Sequence, residues 1–383
     1  MFHSLRAFFR HPQSLSLGLL FAILAILFSS WVTRLPEIQE QLILSKSQLG
    51  FSLLGMSIGG LVITPLSALL MLYTRIRRGS VLSSLLYCFS FLLPVAAYNF
   101  HWLFVAMLIV GVTNGFMQFV VNSAAAAVEK EQRRHLMSTC HGMFSAGGLI
   151  GAGSTSVLAS LGVSATTHLT LLCLLMAVLT WLLRPIIYTY PDESDTTSRL
   201  SLPGRPVLGL VAMSFFVMMA EGVVMDWSSV YLKNTLNSGA FLSGFGYFGF
   251  SLTMALGRLS GAGLIARWGA PRLVRLGCVL GVLGLSTAAF FTEPLVVIAG
   301  FSLVGLGFSC IAPILFSAAA ATPGVHPSSG IAAIATAITV GIMAGRPIVG
   351  LIADDYGLAA GFWLAAGVTL LASFLSVVVK IKH

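Results

Sequence analysis

The sequence predicts an all-α membrane protein with twelve transmembrane helices, arranged as two pseudo-symmetric six-helix bundles. Three observations lead to this fold class: a very apolar composition, apolar runs of bilayer length, and local patterns that recur half a chain apart. Hydrophobic residues make up 57 % of the 383 residues and charged residues only 9 %. Soluble domains carry about 25 % charged residues, so this chain cannot cover a water-exposed surface with polar groups. The composition therefore leaves very little room for a soluble domain.

Apolar runs long enough to cross a bilayer, which requires about 20 helical residues, recur along the whole chain. The predicted spans are 15–35, 47–72, 80–98, 102–127, 137–162, 166–187, 206–232, 240–266, 273–291, 294–318, 328–352 and 357–379. The longest polar stretch, "YTYPDESDTTSRLSLPGR" at 188–205, separates the sixth span from the seventh. Its Pro, Ser, Thr and acidic content is typical of a linker. We therefore expect an N-terminal bundle at 1–187, a cytoplasmic linker at 188–205 and a C-terminal bundle at 206–383.

The two halves share local sequence patterns at nearly one offset. The pentapeptide Ser-Ala-Ala-Ala-Ala begins at Ser123 and again at Ser317, 194 residues later. Further pairs at offsets of 194 or 196 are Val110 with Val304, Gly111 with Gly305, Gly147 with Gly341, Gly151 with Gly345, Trp31 with Trp227, and Gly50 with Gly246. Each pair places span n on span n+6, which predicts two parallel repeats related by an axis along the membrane normal. The alanine patches are then equivalent small-residue faces that allow close helix packing.

The distribution of cations predicts the orientation in the membrane. If the N-terminus is cytoplasmic, the outer segments hold only Arg34, Lys46 and Lys233. The inner segments hold sixteen: Arg6, Arg10, Arg75, Arg77, Arg78, Lys130, Arg133, Arg134, Arg184, Arg199, Arg205, Arg267, Arg272, Arg275, Lys380 and Lys382. By the positive-inside rule, both termini are cytoplasmic. The net charge of +9 therefore reports topology and contact with the lipid bilayer, and no nucleic-acid partner is expected.

One local motif follows the eighth span, in "GRLSGAGLIARWGAPRL". Its defining residues are Gly257, Arg258, Gly261, Arg267, Gly269 and Arg272. Together with two six-helix halves and a polar central linker, it resembles the major facilitator superfamily. The superfamily's signature also carries an acidic residue before the first loop arginine, where this chain has Ala266. The resemblance assigns these motif residues, including Arg258, a structural role.

A narrower resemblance covers almost the whole chain. It rests on "SWVTRLPEIQEQL" (30–42), "NGFMQFVVNSAAAAVE" (114–129), "CHGMFSAGGLIGA" (140–152) and "EGVVMDWSSVYL" (221–232). These stretches resemble the fucose-permease-related branch, most of all its YbjJ-type transporters of the bacterial inner membrane. The resemblance implies transport of a small, often sugar-like solute, commonly coupled to protons. In the superfamily the third, sixth, ninth and twelfth helices are outer supports. Here the third and twelfth spans contain no Asp, Glu, Lys or Arg, and the sixth and ninth contain one arginine each, Arg184 and Arg275, near their inner ends.

Two acidic residues on the seventh span are candidates for proton coupling. Glu221 lies near mid-membrane by residue count, where a carboxyl group can take up and release a proton near neutral pH. A structural alternative is a glutamate held by an arginine or by backbone. Asp226 lies about one turn further out, beside Trp227, and could instead cap or gate the outer end of its helix.

Two arginines are candidates for substrate binding, because a charge inside the bilayer should face a cavity or a partner. Arg346 stands in "GRPIVG" at a position where the branch commonly has a small or proline-like residue. It could bind an anionic cargo, pair with Glu221, or extend toward the membrane surface. Arg34 and Glu37 are spaced i, i+3, so a local ion pair accounts for them without a substrate.

Uncharged polar and aromatic residues complete the candidate binding site. Asn114, Gln118 and Asn122 are four residues apart and share one helical face, which could offer hydrogen bonds to a hydroxylated ligand or to another helix. His141 could titrate near neutral pH or serve in packing. Trp227 could stack on a sugar ring, although an aromatic residue on an apolar helix usually packs in the core.

The sequence therefore predicts a secondary active transporter that moves a small polar solute, which could be sugar-like, by alternating access and is coupled to protons. The alternative is proton-driven efflux of a drug-like or amphipathic compound. An enzyme is not expected, because motifs such as HExxH do not occur. A receptor or scaffold would be expected to carry a soluble module. We expect a monomer with no cofactor and no metal site, and the five cysteines have no CxxC spacing.

Overall fold

The computed structural model describes residue 8 and residues 10–132, 136–187 and 205–379. The predicted linker therefore lies outside the described residues except for Arg205, and the division of the chain there stays a prediction. Six of the cations used to predict the orientation also lie outside them: Arg6, Arg133, Arg134, Arg199, Lys380 and Lys382.

Helices form the secondary structure of the described residues. Those of the N-terminal half are α1 (Pro12–Gln41), α2 (Lys46–Ser90), α3 (Leu92–Val95), α4 (Phe100–Gln132), α5 (Met137–Ser160) and α6 (Ala165–Leu183). Those of the C-terminal half are α7 (Leu208–Val230), α8 (Gly239–Ser243), α9 (Phe245–Trp268), α10 (Ala270–Phe290), α11 (Pro294–Phe308), α12 (Ile311–Ala320), α13 (Pro327–Tyr356) and α14 (Leu358–Val378). A 3₁₀ turn at Arg205–Val207 precedes α7, and a π-helical turn at Tyr231–Thr235 follows it.

Eleven helical segments among the described residues are long and apolar enough to cross a membrane. They correspond to the predicted spans except the fifth, which forms helix α5 but is not among the eleven. Its sequence, "MSTCHGMFSAGGLIGAGSTSVLAS", is rich in Gly, Ala and Ser. Such small residues lower the hydropathy of a helix and permit close packing against its neighbours.

Two spans differ from the sequence prediction in their continuity. The second and third spans were predicted as separate helices, yet α2 runs unbroken from Lys46 to Ser90. The connecting residues 73–79 contain no proline and three arginines, which are good helix formers. The tenth span is divided into α11 and α12 at Ser309–Cys310, where Pro313 cannot supply a backbone donor to continue the ladder of α11.

The chain forms two compact units. Unit 1 contains residues 1–43 and 52–196, and unit 2 contains residues 44–51 and 197–383. Helix α2 therefore begins in unit 2 and enters unit 1 at Ser52.

Glycines bring several pairs of helices into close contact, and one of these pairs is equivalent in the two units. In unit 1, a Cβ atom added at Gly147 of α5 would lie 2.5 Å from the carbonyl oxygen of Ala22 in α1. In unit 2, a Cβ atom at Gly341 of α13 would lie 2.5 Å from the carbonyl oxygen of Phe215 in α7. Gly147 and Gly341 are one of the pairs at the 194-residue offset, so the sequence repeat corresponds to a repeated packing contact.

Candidate transport site

A buried ion pair joins α7 and α13 in unit 2. The Nε atom of Arg346 donates to Oδ2 of Asp226 at 2.8 Å. Asp226 is 1 % exposed and Arg346 is 6 % exposed, so both charges are inside the protein rather than on its lipid-facing surface. The close approach of the two helices at Gly341 allows side chains one to two turns further along to meet across the contact.

Glu221 lies on α7 before the ion pair and is also buried. Its Oε2 atom has no hydrogen-bond partner among the described residues. Helix α9, which carries Arg258 and Tyr247, packs against α7; the side chain of Arg258 is exposed and that of Tyr247 is buried. The sequence left three alternatives for Arg346: an anionic cargo, a pair with Glu221, or the membrane surface. In the structure Arg346 is paired with Asp226 rather than with Glu221.

Trp227, beside Asp226, is completely buried. Its indole Nε1 has no hydrogen-bond partner among the described residues. Trp31, its counterpart at the 196-residue offset, is 1 % exposed, and its Nε1 also has no such partner. Both indoles therefore occupy packing positions in the cores of their units.

Arg34 in unit 1 lies in a buried polar cluster at the end of α1. Its Nη1 atom contacts Oε1 of Glu37 at 2.5 Å, which is the local pair that the i, i+3 spacing suggested. Its Nε atom donates to Nδ1 of His168 in α6 at 3.4 Å. Arg34 is 1 % exposed, and its Nη2 atom has no hydrogen-bond partner among the described residues. The guanidinium therefore contacts the sixth predicted span.

The three amides of α4 line a more accessible face of unit 1. Gln118 is exposed, and Asn114 and Asn122 are half-buried. The Nδ2 atom of Asn122 donates to the carbonyl oxygen of Gln118 at 2.8 Å. His141 of α5 is exposed, and its ring lies 5.2 Å from the ring of Phe21 in an edge-to-face arrangement.

The motif glycines shape the contact between α9 and the break that divides α11 from α12. A Cβ atom at Gly257 would collide with Ser309, and one at Gly261 would lie 3.0 Å from Sγ of Cys310. Gly269 joins α9 to α10 with a φ of 78°, which favours glycine. The remaining motif residues, Arg258, Arg267 and Arg272, have exposed side chains.

Sequence reasoning missed several residues with polar contacts between elements, among them His168, Lys46 and Asp354. His168 is one histidine in an apolar span, so its contact with Arg34 leaves no pattern in the sequence. Asp354 accepts hydrogen bonds from the backbone nitrogens of Lys46 and Ser47, 307 or more positions away in the chain. Only coordinates reveal such distant contacts.

The charged residues of unit 2 combine a fixed ion pair with a separate buried acid. Asp226 and Arg346 neutralise each other, whereas Glu221 has a carboxyl oxygen without a donor. Among the described residues, no group of three or more His, Cys, Asp or Glu could hold a metal ion. The side chains of Glu221 and Asp226 can bind protons, and those of Glu221, Asp226 and Arg346 can form hydrogen bonds.

Comparison with known sequences gives a consistent family. The family model of the Major Facilitator Superfamily matches residues 15–326. An uncharacterised transporter of this type from Yersinia pestis is 29 % identical over 354 residues, with 92 % of each chain covered. The membrane protein MosC from Rhizobium meliloti is 29 % identical over 350 residues, covering 91 % of this chain and 86 % of MosC.

Solved structures confirm the predicted fold class. A mutant of the nucleoside transporter NupG superimposes with a TM-score of 0.78 at 13 % identity, covering 95 % of this chain and 99 % of NupG. A bacterial homologue of the human lysosomal transporter Spinster gives a TM-score of 0.74 at 12 % identity, covering 95 % of both chains. At these identities the likeness shows the fold alone. The chain belongs to the major facilitator superfamily, and it is a membrane-embedded secondary transporter of a small solute rather than an enzyme.

Proposed function

We propose that this protein is a proton-coupled transporter that moves a small polar, sugar-like solute by alternating access. We place it in the bacterial inner membrane with both termini cytoplasmic, and in the fucose-permease-related branch of its superfamily. The observation that carries the proposal is the buried Glu221, whose Oε2 atom has no hydrogen-bond donor among the described residues.

Glu221 is the proposed proton carrier because of its surroundings in unit 2. An ionised carboxylate buried without donors costs several kcal/mol, so a proton on Glu221 suits the described arrangement. Arg346, the buried cation of α13, is bound to Asp226 at 2.8 Å. We therefore assign coupling to Glu221 and a fixed, ionised role to Asp226.

The amide face of α4 supports a hydroxylated cargo. An amide side chain offers both donors and an acceptor, so Asn114, Gln118 and Asn122 can bind hydroxyl groups without adding charge. Gln118 is exposed and the other two are half-buried, so these side chains are accessible. His141 lies exposed on α5 and is the proposed additional polar contact. Arg34 and Trp227 are buried, so we give them structural rather than binding roles.

The coupling proposal is tested with purified protein in proteoliposomes. Glu221→Gln should abolish accumulation driven by a pH gradient, because glutamine cannot release a proton, while counterflow exchange of the same solute continues. Glu293→Gln is the matched control, because Glu293 is exposed at the start of α11. Undiminished pH-driven accumulation by the Glu221 variant would remove that residue from the coupling step.

The cargo needed for that assay can be found by thermal-shift screening of the purified protein. The screen compares sugars, sugar acids, nucleosides and hydrophobic cations. We expect polyhydroxylated compounds to raise the melting temperature, and Gln118→Leu to reduce that shift by removing an amide from the accessible face. Stabilisation by hydrophobic cations alone would favour efflux over uptake of a sugar-like solute.

A further inference from the structure

The first turn of the continuous helix α2 belongs to unit 2, whereas the remainder of the helix belongs to unit 1. Residues 44–51 belong to unit 2, and the chain enters unit 1 at Ser52. Leu49 in this segment is completely buried. The contacts of this segment with α13 involve the charged ends of both helices.

The carboxylate of Asp354 binds the N-terminus of α2. Its Oδ1 atom accepts from the backbone nitrogen of Lys46 at 2.7 Å, and its Oδ2 atom accepts from that of Ser47 at 3.1 Å. The first N–H groups of a helix have no partner within the helix and carry a partial positive charge. A carboxylate supplies both the missing acceptors and the favourable charge.

The side chain of Lys46 makes the converse contact with α13. Its Nζ atom donates to the carbonyl oxygen of Ala353 at 3.0 Å, in the last turn of that helix. The end of a helix carries a partial negative charge, which a cation stabilises. Each helix thus supplies the charged side chain that suits the terminus of the other.

Glycines allow the two backbones to touch beside these contacts. A Cβ atom at Gly350 would lie 2.6 Å from the carbonyl oxygen of Lys46. A Cβ atom at Gly50 would collide with the carbonyl group of Arg346, the residue whose side chain binds Asp226. The segment therefore lies directly against the backbone of Arg346, whose side chain forms the buried ion pair.

We propose that Lys46, Ser47, Ala353 and Asp354 form a reciprocal helix-end clasp that opens and closes during transport. When the clasp is closed, Gly50 lies against Arg346 and holds the Arg346–Asp226 pair in place. When the clasp opens, residues 44–51 leave α13, and Leu49 becomes accessible. This inference rests on the proposed alternating access, but its test requires neither a substrate nor a proton gradient.

The test measures the alkylation rate of a cysteine introduced at position 49, in protein reconstituted in nanodiscs. The five native cysteines are buried, so protein without the Leu49→Cys change supplies the background rate. Asp354→Ala should accelerate labelling about fivefold, the size of effect expected from losing a helix cap. Asp355→Ala, at the exposed neighbouring acid, should leave the rate unchanged. Asp354→Asn keeps an acceptor and should give an intermediate rate.

A charge exchange distinguishes this clasp from an ordinary ion pair. Combining Lys46→Asp with Asp354→Lys would restore an ion pair, but it would place a cation at a helix N-terminus and an anion at a helix C-terminus. We therefore expect labelling of the exchanged protein to be at least as fast as in Asp354→Ala. If either the Asp354→Ala protein or the exchanged protein is labelled no faster than the protein with Leu49→Cys alone, the clasp proposal is wrong. If the wild-type protein shows no accumulation driven by a pH gradient while the labelling results are as expected, that outcome would count against the proposed function only.

Discussion

The α1–α5 pair of unit 1 and the α7–α13 pair of unit 2 share their backbone packing but not their charges. A Cβ atom at Gly151 would lie 2.5 Å from the carbonyl oxygen of Ile26, and one at Gly345 would lie 3.1 Å from that of Met219. At the 194-residue offset, Arg346 of unit 2 corresponds to Ala152 of unit 1, which is completely buried. Both units therefore have the close helix contact, and among the described residues an ion pair crosses it in unit 2, where unit 1 has Ala152.

This difference distinguishes the residues that pack the helices together from the residues that we assign to transport. Glycine contacts depend on backbone geometry, so both repeats retain them. The buried charges, by contrast, differ between the units: unit 2 holds Asp226, Arg346 and Glu221, whereas unit 1 holds Arg34, and the amides of α4 lie on its more accessible face. The asymmetry supports a division of labour in which unit 2 binds the proton and unit 1 contributes hydrogen bonds to the cargo.

The largest effect is expected from breaking the ion pair that distinguishes unit 2. Arg346→Gln leaves Asp226 buried without its cation, which should lower the free energy of unfolding by about 3–5 kcal/mol. Adding Asp226→Asn removes the unpaired charge and should recover part of that loss. Unfolding in mixed micelles titrated with SDS measures both. If the losses of the two single variants simply add in the double variant, the pair is not a coupled unit.

A smaller effect, of similar size at both positions, is expected at the equivalent glycines Gly147 and Gly341. Gly147→Ala and Gly341→Ala each introduce a Cβ atom 2.5 Å from a facing carbonyl oxygen. Each should destabilise the protein by about 1–3 kcal/mol, the usual cost of overpacking.

Gly367→Ala is the control for this pair, because a Cβ atom there has no neighbour within 4 Å. Melting temperatures in detergent compare the three variants. A loss at Gly341 with none at Gly147 would show that the packing contact is not equivalent in the two repeats.

The smallest effect concerns the polar cluster of unit 1. His168→Leu removes the acceptor of the Arg34 Nε hydrogen bond and should cost about 1 kcal/mol. His168→Gln retains an acceptor and should cost less. Because we assign this cluster a structural role, both variants should keep pH-driven accumulation in proteoliposomes. Loss of that coupling in His168→Gln would extend proton binding to unit 1.

Hydropathy predicted most helices closely, because an apolar run in lipid has few alternatives to a helix. The sixth span was predicted at 166–187 and α6 is Ala165–Leu183, while the last was predicted at 357–379 and α14 is Leu358–Val378. The Arg34–Glu37 contact was also predictable, because i, i+3 spacing is local. The continuity of α2 was not, since arginines end a hydropathy window without ending a helix.

Pairings between distant residues could not be predicted from one sequence. Asp226 and Arg346 are 120 positions apart, and Glu221 is as plausible a partner by residue type. Which of the two acids pairs with Arg346 depends on how α7 and α13 cross. The glycines allow the two helices to approach closely, but their positions in the sequence do not reveal the crossing. No sequence pattern connects Lys46 with Asp354, and their reciprocal contacts appear only in three dimensions.

Infrared difference spectroscopy across a pH titration tests the central claim most directly, because it detects a protonated carboxylic acid by its carbonyl band. We predict a band in purified wild-type protein that disappears as the pH rises and is missing from Glu221→Gln, while Asp226→Asn retains it. The same titrating band in Glu221→Gln would contradict the assignment of the transported proton to Glu221.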